Sequence, residues 1–401
     1  MTAPTPAVRD RLRALPGGEL PAYLYDLTAL RAHAAAVRAA LPEAVELYYA
    51  AKANPEPEIL RALGPYADGY EVSSGGELAH VATAVPARRL AFGGPGKTPD
   101  ELAAALGQGV HRVHVESLHE LRLLAALSAR LAPGTPTGIL LRVNLPVPER
   151  SLAGSALAMG GRPAPFGLDP AQADEAVRLL TDGSCPQLRL HGVHAHLASG
   201  LDAPRLLAVA ESVLSWTAAL AARHGARLTE VNLGGGMAVD YAAPDSRFDW
   251  TAYGAGLARL AAAHPGTTLR IEPGRALTAY CGWYATEVLD VKPSHGEEFA
   301  VVRGGTHHLR TPAAKGHDQP CAVVPGSAPW PHPWPRPSLR GERVTFAGQL
   351  CTPKDVLARG VAAPGLRAGD RVAFGLAGAY AWNISHHEFL MHPRPGFHFL
   401  G

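Results

Sequence analysis

The sequence predicts an α/β protein, a closed (β/α)8 barrel followed by a second, all-β domain. Three observations carry this. Eight short runs of β-branched and aromatic residues alternate with Ala/Leu-rich segments of helical spacing; after Arg275 strand-like runs continue without long helices; and 401 residues exceed what one hydrophobic core usually holds.

The eight runs are ELYYAAKA (46–53), DGYEVSS (68–74), RLAFGG (89–94), HRVHVES (111–117), TGILLRVN (137–144), RLHGVHAHLAS (189–199), RLTEVNLGG (227–235) and TLRIEPGR (268–275). Between them PEILRALGPY, GGELAHVATAV, TPDELAAALGQG, LHELRLLAALSARL and APRLLAVAESVLSWTAALAARHG read as helices. The early runs recur roughly every 22 residues and the later ones at longer intervals, the rhythm of βα units with insertions. Eight units within about 230 residues favour closure into a barrel over an open sheet. Beyond Arg275 the runs WYATEVLDVKP, EEFAVVRGG, ERVTFAGQLC, DRVAFGLAGAYAW and PGFHFLG build the β domain, with the proline-rich 327–341 as a long surface loop among them. PAYLYDL (21–27) is expected to add a strand there, so the expected domains are 28–275 for the barrel and 276–401, with 1–27, for the β domain.

A net charge of +2 with 18% charged residues shows no basic bias toward nucleic acid or a membrane surface, so small molecules and other copies of the chain are the expected partners. The four cysteines (Cys185, Cys281, Cys321, Cys351) form no CxxC pair, against a zinc ribbon or disulfide framework. With no signal-peptide core at the N-terminus and no run of 18 or more apolar residues, a cytoplasmic location is expected.

Barrel chemistry gathers at the carboxyl ends of the strands. Those ends hold Lys52 and Asn54, Ser74–Glu77, Gly93 and Gly94, Glu116 and Ser117, Arg142 and Asn144, His196 and Ser199, Gly234–Gly236, and Glu272–Arg275. Lys52 stands out, since the chain has only five lysines against 32 arginines. Preceded by YYAA, it is expected to be a desolvated, nucleophilic amine, the alternative being a lysine with its head in water. LGGGM (233–237) offers backbone amides to an anion or is simply a tight turn; lacking a Walker lysine it does not suit an ATPase. EPGR (272–275) offers a carboxylate and a fork-shaped cation, or an internal Glu–Arg pair. His194 and His196 are too few for a metal site.

A lysine, a phosphate cradle, a carboxylate and a flat aromatic ring around one mouth are what pyridoxal 5′-phosphate (PLP) requires. The lysine bonds to its aldehyde and the carboxylate keeps its ring nitrogen protonated. A charge-assisted hydrogen bond of that kind is worth about 1.5–3 kcal/mol, roughly one to two powers of ten in rate.

From YLYDLTAL, YYAAKANPEPEILRAL, GYEVSSGGEL, FGGPGKTPDEL, VHVESLHEL, LLRVN, PFGL, GVHAHLAS, VNLGGGMAVDY, IEPGRAL, GQLCTPKDVLA and GAYAWN, in this order, the chain resembles the fold-type III PLP enzymes of the diaminopimelate/ornithine decarboxylase family nearly end to end. The resemblance implies a TIM barrel of the alanine racemase type with a C-terminal β-sandwich or β-barrel-like domain. It implies that Lys52 carries the cofactor, that His196 stacks on it and that Glu272 partners its ring nitrogen. Gly234, Gly235, Gly236, Gly274, Arg275 and Tyr380 match phosphate-binding positions, and Ser199 is a further cofactor-binding candidate. Cys351 matches a proton donor presented from the partner subunit, implying a homodimer with shared active sites; read alone it would be a buried small hydrophobe.

Two departures bear on substrate. Members acting on basic amino acids carry Asp or Glu where this chain has Thr352, so a distal ammonium would lack its counter-charge, and Pro165 replaces a basic residue before the FG of PFGL. His307, His308 and Arg310 in THHLR, with His386 and His387 in ISHHEF, suit an acidic distal group or are solvated surface side chains. Together these motifs resemble the siderophore-biosynthesis branch of the family, whose members decarboxylate a citrate-conjugated amino acid such as citryl-diaminopropionate. The rival readings are a diaminopimelate or other amino-acid decarboxylase, an amino-acid racemase and a non-catalytic PLP carrier; the last would need no β domain bearing Cys351 and Tyr380.

Overall fold

The computed structural model describes residues 3–146, 157, 158 and 160–401. The chain divides into two compact units: His33–Ala238 with Phe248–Ala276, and Met1–Ala32 with Val239–Arg247 and Leu277–Gly401.

The first unit is a closed barrel of eight parallel strands: Val45–Ala50, Gly69–Val72, Arg89–Phe92, Arg112–Val115, Thr137–Arg142, Leu188–His194, Glu230–Asn232 and Thr268–Ile271, the last pairing with the first. Every one of the eight predicted runs supplies a strand. Gly69–Val72 is buried at all four positions, as a parallel strand covered on both faces must be. The helices Pro57–Leu63, Gly75–Ala84, Pro99–Gly107, Leu118–Leu131 and Ala203–His224 lie where the spacing placed them. Their starts are written locally. Ser74, Thr98, Ser117 and Asp202 each accept a backbone N–H of the first turn, and Thr98 with Glu101 completes a capping box. Ala203–His224 is long and apolar enough to cross a bilayer by length and composition, yet eight of its residues, Leu206 to Leu220 among them, are buried within the protein.

Inside the barrel, at the end opposite the strands' carboxyl ends, a layer of charge replaces apolar filling. Arg270, 2% exposed, bonds Glu46 at 2.5 Å and Glu230 at 3.3 Å, and Arg112 donates from Nε to Glu230 at 2.9 Å. Pairing of opposite charges within this layer makes each member dependent on the others.

The second unit is an eight-stranded sheet. Its order runs Cys321–Val324, Arg371–Phe374, Gly282–Ser294, Glu297–Val302, Arg343–Ala347, Val356–Ala362. Ala22–Asp26 joins it as expected, antiparallel to Gly282–Ser294 and parallel to Gly396–Leu400. Two of these strands, Cys321–Val324 and Val356–Ala362, are absent from the sequence reading. The helix Pro6–Ala14 buries Val8 and Leu12 in a core with Leu24, Trp283 and Ala373. Residues 327–341 form a loop with one isolated bridge, Ser338 to Arg367.

Candidate active site

The first barrel strand runs directly into one tight helical turn, Ala51–Ala53, which carries Lys52 at the strand's carboxyl end. Ala51 and Ala53 bury their methyl groups while the lysine side chain turns outward. Its Nζ lies 2.5 Å from Glu71 Oε2 and 3.3 Å from Ser73 Oγ. Glu71 comes from the neighbouring strand, in register with Ala50, and its other oxygen accepts the Ser73 hydroxyl at 2.8 Å. The expected desolvation is therefore corrected: the Lys52 side chain is 42% exposed and faces a buried carboxylate, because the turn after YYAA lifts it clear of the apolar residues.

On the neighbouring strand, the eighth, which pairs with the first, Glu272 follows Ile271 with 6% exposure. Asn232 Nδ2 donates to its Oε1 at 2.6 Å and His194 Nε2 donates to its Oε2 at 3.2 Å. Burial, aided by Arg142, pushes the His194 pKa well down, so a neutral ring makes that donation. His114 stacks on His194 with centroids 4.3 Å apart, and its pKa is likewise pushed down by burial and by His194. The ligand atoms of His114, His194 and Glu272 lie within 4.8 Å of one another, but the carboxylate already has two donors.

His196 is half-buried and its Nδ1 accepts the Gly235 N–H at 3.1 Å, which leaves the proton on Nε2 and fixes the ring plane. Burial, then the nearby Lys52 and Arg142 charges, holds its pKa at about 3. The glycine run lies across the strand ends with no room for side chains. A Cβ on Gly235 would sit 2.6 Å from the Glu272 carbonyl, and one on Gly236, at φ +104°, 2.3 Å from the Ala198 carbonyl. Ser199 follows Ala198 and is half-buried; Gly274, buried, precedes the short helix Arg275–Thr278, at whose start Arg275 is half-buried. Glu116 and Arg142 form a buried pair at 2.7 Å, with Glu116 also accepting the N–H groups of Gly94 and Gly167.

In the β unit the structure draws three of the predicted stretches together. Asp355, 2% exposed, accepts the Thr306 N–H at 2.6 Å, the Thr306 hydroxyl at 2.8 Å and the Leu350 N–H at 2.7 Å, tying THHLR to GQLCTPKD. The Ser385 hydroxyl donates to the His308 carbonyl and accepts the Arg310 N–H, each at 3.0 Å, tying in ISHHEF. Cys351 and Arg310 are exposed and Thr352 is half-buried. Tyr380 is half-buried at φ +49°, its carbonyl accepting the Thr311 hydroxyl at 2.7 Å. The side chains differ in freedom. His308 accepts the Tyr284 hydroxyl on Nδ1 and donates from Nε2 to the Pro393 carbonyl, and His387 stacks on Trp382 at 3.6 Å, while His386 is exposed.

Glu71, Asn232, His114 and Asp355 were not among the predicted site residues. Each is polar within or beside a strand-like run, and only pairing register or a long-range turn brings it to its partner.

A lysine, a carboxylate held by two donors and a side-chain-free glycine run on the rim of a closed (β/α)8 barrel define the barrel class of PLP enzymes. A family model described as the pyridoxal binding domain of pyridoxal-dependent decarboxylases matches residues 27–279. The chain belongs to this pyridoxal-dependent decarboxylase family, and it is a PLP-dependent carboxy-lyase. It is similar to 2-[(L-alanin-3-ylcarbamoyl)methyl]-2-hydroxybutanedioate decarboxylase of Staphylococcus aureus, 39% identical over 382 residues, 94% of this chain and 93% of that protein. It is 36% identical to diaminopimelate decarboxylase of Actinosynnema pretiosum, over 90% of this chain and 79% of that one. A solved diaminopimelate decarboxylase from Helicobacter pylori, complexed with L-lysine, superposes with a TM-score of 0.79 at 25% identity, covering 92% of this chain and 89% of that one.

The residues present fit PLP. The oriented Glu272 carboxylate suits a protonated ring nitrogen, the accessible Lys52 amine suits an aldehyde, and the half-buried His196 ring offers a flat face.

Proposed function

We propose that this chain decarboxylates an amino acid carrying a citryl group, such as citryl-L-2,3-diaminopropionate, in carboxylate siderophore biosynthesis. The observation that carries this is the 39% identity, over 94% of the chain, to the S. aureus decarboxylase, whose name describes a citric acid amide of 2,3-diaminopropionate. Thr352 supports it, because a neutral residue there suits a substrate without a distal ammonium.

Bound PLP supplies an electron sink for the pair left when the substrate α-carboxylate departs as CO2. The protein's own residues do the rest. Lys52 would hold the aldehyde carbon, and Glu71, 2.5 Å from Nζ, orients that amine. Glu272, oriented by Asn232 and His194, stabilises the proton on the ring nitrogen. His196 supports one ring face, its plane fixed through Gly235. Gly234, Gly235, Gly236, Gly274, Arg275, Ser199 and Tyr380 bind the phosphate. Cys351, a free and exposed thiol, returns a proton to Cα from the partner subunit of a cytoplasmic homodimer. His307, His308, Arg310, His386 and His387 favour the acidic arm.

The test is CO2 release from purified holoenzyme supplied with citryl-diaminopropionate, 2,3-diaminopropionate, ornithine or diaminopimelate. The citryl conjugate should be consumed fastest; preference for free diaminopimelate overturns the siderophore reading. A Lys52→Ala variant should no longer form a borohydride-reducible bond to the cofactor.

A further inference from the structure

Within the β unit alone lies a cavity of about 500 Å3, and its lining is basic. Arg303, His307, His308, His392, Arg394 and His398 face it, and the one acidic lining residue, Glu19, lies 3.7 Å from Arg11. Two of these residues carry unsatisfied atoms, although Arg303 Nη2 donates to Glu287 at 3.2 Å. Both ring nitrogens of His307, a residue with 0% exposure, and the Nε of Arg303 are buried without a hydrogen-bond partner. An unpaired buried donor costs about 1–3 kcal/mol, which a ligand bringing acceptors would offset. The volume suits a small molecule.

A metal cation is the wrong occupant. Two guanidinium groups would repel it, and among the described residues the only trio with metal-ligand spacing is His114, His194 and Glu272, in the barrel unit. We propose that this cavity is a binding site for a small multiply charged oxyanion, of carboxylate or phosphate type, held by Arg303, His307 and Arg394.

Protons are coupled to that binding. His307 packs against His308 at 4.0 Å and His392 at 4.9 Å, with Arg303, Arg394, His398 and Glu19 on the same walls. Its pKa sits at about 4 through burial, then through repulsion from His392, His386 and His387. An anion at its ring reverses that balance, so the imidazole takes up a proton as the anion binds and affinity rises as pH falls.

Calorimetric titration of the PLP-loaded enzyme with sulfate, phosphate and citrate, with glucose as the neutral control, tests this. Citrate binding above sulfate and phosphate assigns a carboxylate occupant, the reverse order a phosphate-like one, and either supports the site. Sulfate keeps its charge between pH 6 and 8, and should bind at least about threefold tighter at pH 6. Arg394→Gln, at an exposed side chain that leaves folding intact, and His307→Asn should each weaken binding by about fivefold or more. Should His307→Asn misfold, Arg303→Lys, which removes Nε but keeps the charge, takes its place. Absence of anion binding, or binding indifferent to these variants, overturns the proposal. His307 and His308 are also proposed to meet the acidic arm of the substrate, so the inference rests in part on that reading; because the readout is binding rather than CO2 release, its failure is distinguishable from a failure of the substrate assignment.

Discussion

Replacing Gly236 with alanine separates a phosphate cradle from a mere turn. The added Cβ meets the Ala198 carbonyl at 2.3 Å, a backbone atom that cannot swing aside, and the residue keeps a φ of +104° that side chains rarely adopt. The φ strain alone amounts to about 1–3 kcal/mol. Relief requires the glycine run to move away from Ala198 and Ser199, which spoils any anion held between them. At about 1.4 kcal/mol per tenfold, PLP affinity should fall by roughly 10- to 100-fold. The assay is titration of apo-protein with PLP, followed by cofactor absorbance and tryptophan quenching. Gly225→Ala is the control, since Gly225 caps the helix Ala203–His224 at φ +57° with open space around it. It should lower thermal stability by about 1 kcal/mol and leave PLP affinity alone. If Gly236→Ala loses stability as the control does but binds PLP like wild type, the run is only a turn and the cradle assignment fails.

Glu230→Leu should destabilise the barrel by about 3 kcal/mol, because the half-buried Arg112 and the buried Arg270 lose a carboxylate they share, and lower Tm by roughly 6–12 °C in calorimetry. Burial pushes the Glu230 pKa up, but Arg112 and Arg270 outweigh it and hold the group below its ordinary value. A depressed carboxylate stabilises above its unfolded pKa and loses that contribution as pH falls through the folded one. The gap between wild type and variant should therefore narrow on acidification below about pH 4. Asp355→Asn should expose the Thr306 and Leu350 amides to faster hydrogen exchange and cost the β unit about 3 kcal/mol, since an amide cannot accept all three donors. The His196 ring should show no titration by NMR between pH 5 and 8 in apo-protein; a midpoint near 6.5 would contradict its burial beside Lys52.

The barrel was legible because parallel strands covered on both faces leave continuous apolar runs, and because Ser74, Thr98 and Ser117 announce the following helices. Val356–Ala362 escaped because Arg359 and Gly360 interrupt its apolar pattern, and Cys321–Val324 because Pro320 and Pro325 on either side of it read as loop. Lys52 was legible through the rarity of lysine. Glu71 was not, since one glutamate in GYEV reads as a solvated position until strand pairing sets it opposite Ala50. The environment of Lys52 was misjudged for a related reason: apolar neighbours in sequence turn inward, and the turn at Ala51–Ala53 separates the lysine from them. Asn232 and His194 stand in register on neighbouring strands, and their shared hold on Glu272 depends on the pairing of the sixth, seventh and eighth strands.

Asp355 touches no side chain proposed to meet substrate, yet it fixes the backbone on which Thr352 and His307 are mounted. Orientation and chemistry are thereby assigned to different residues. Side chains on the two loops can be exchanged as a set while one buried carboxylate keeps the loops in place, so a change of substrate in this scaffold needs new side chains rather than a new fold.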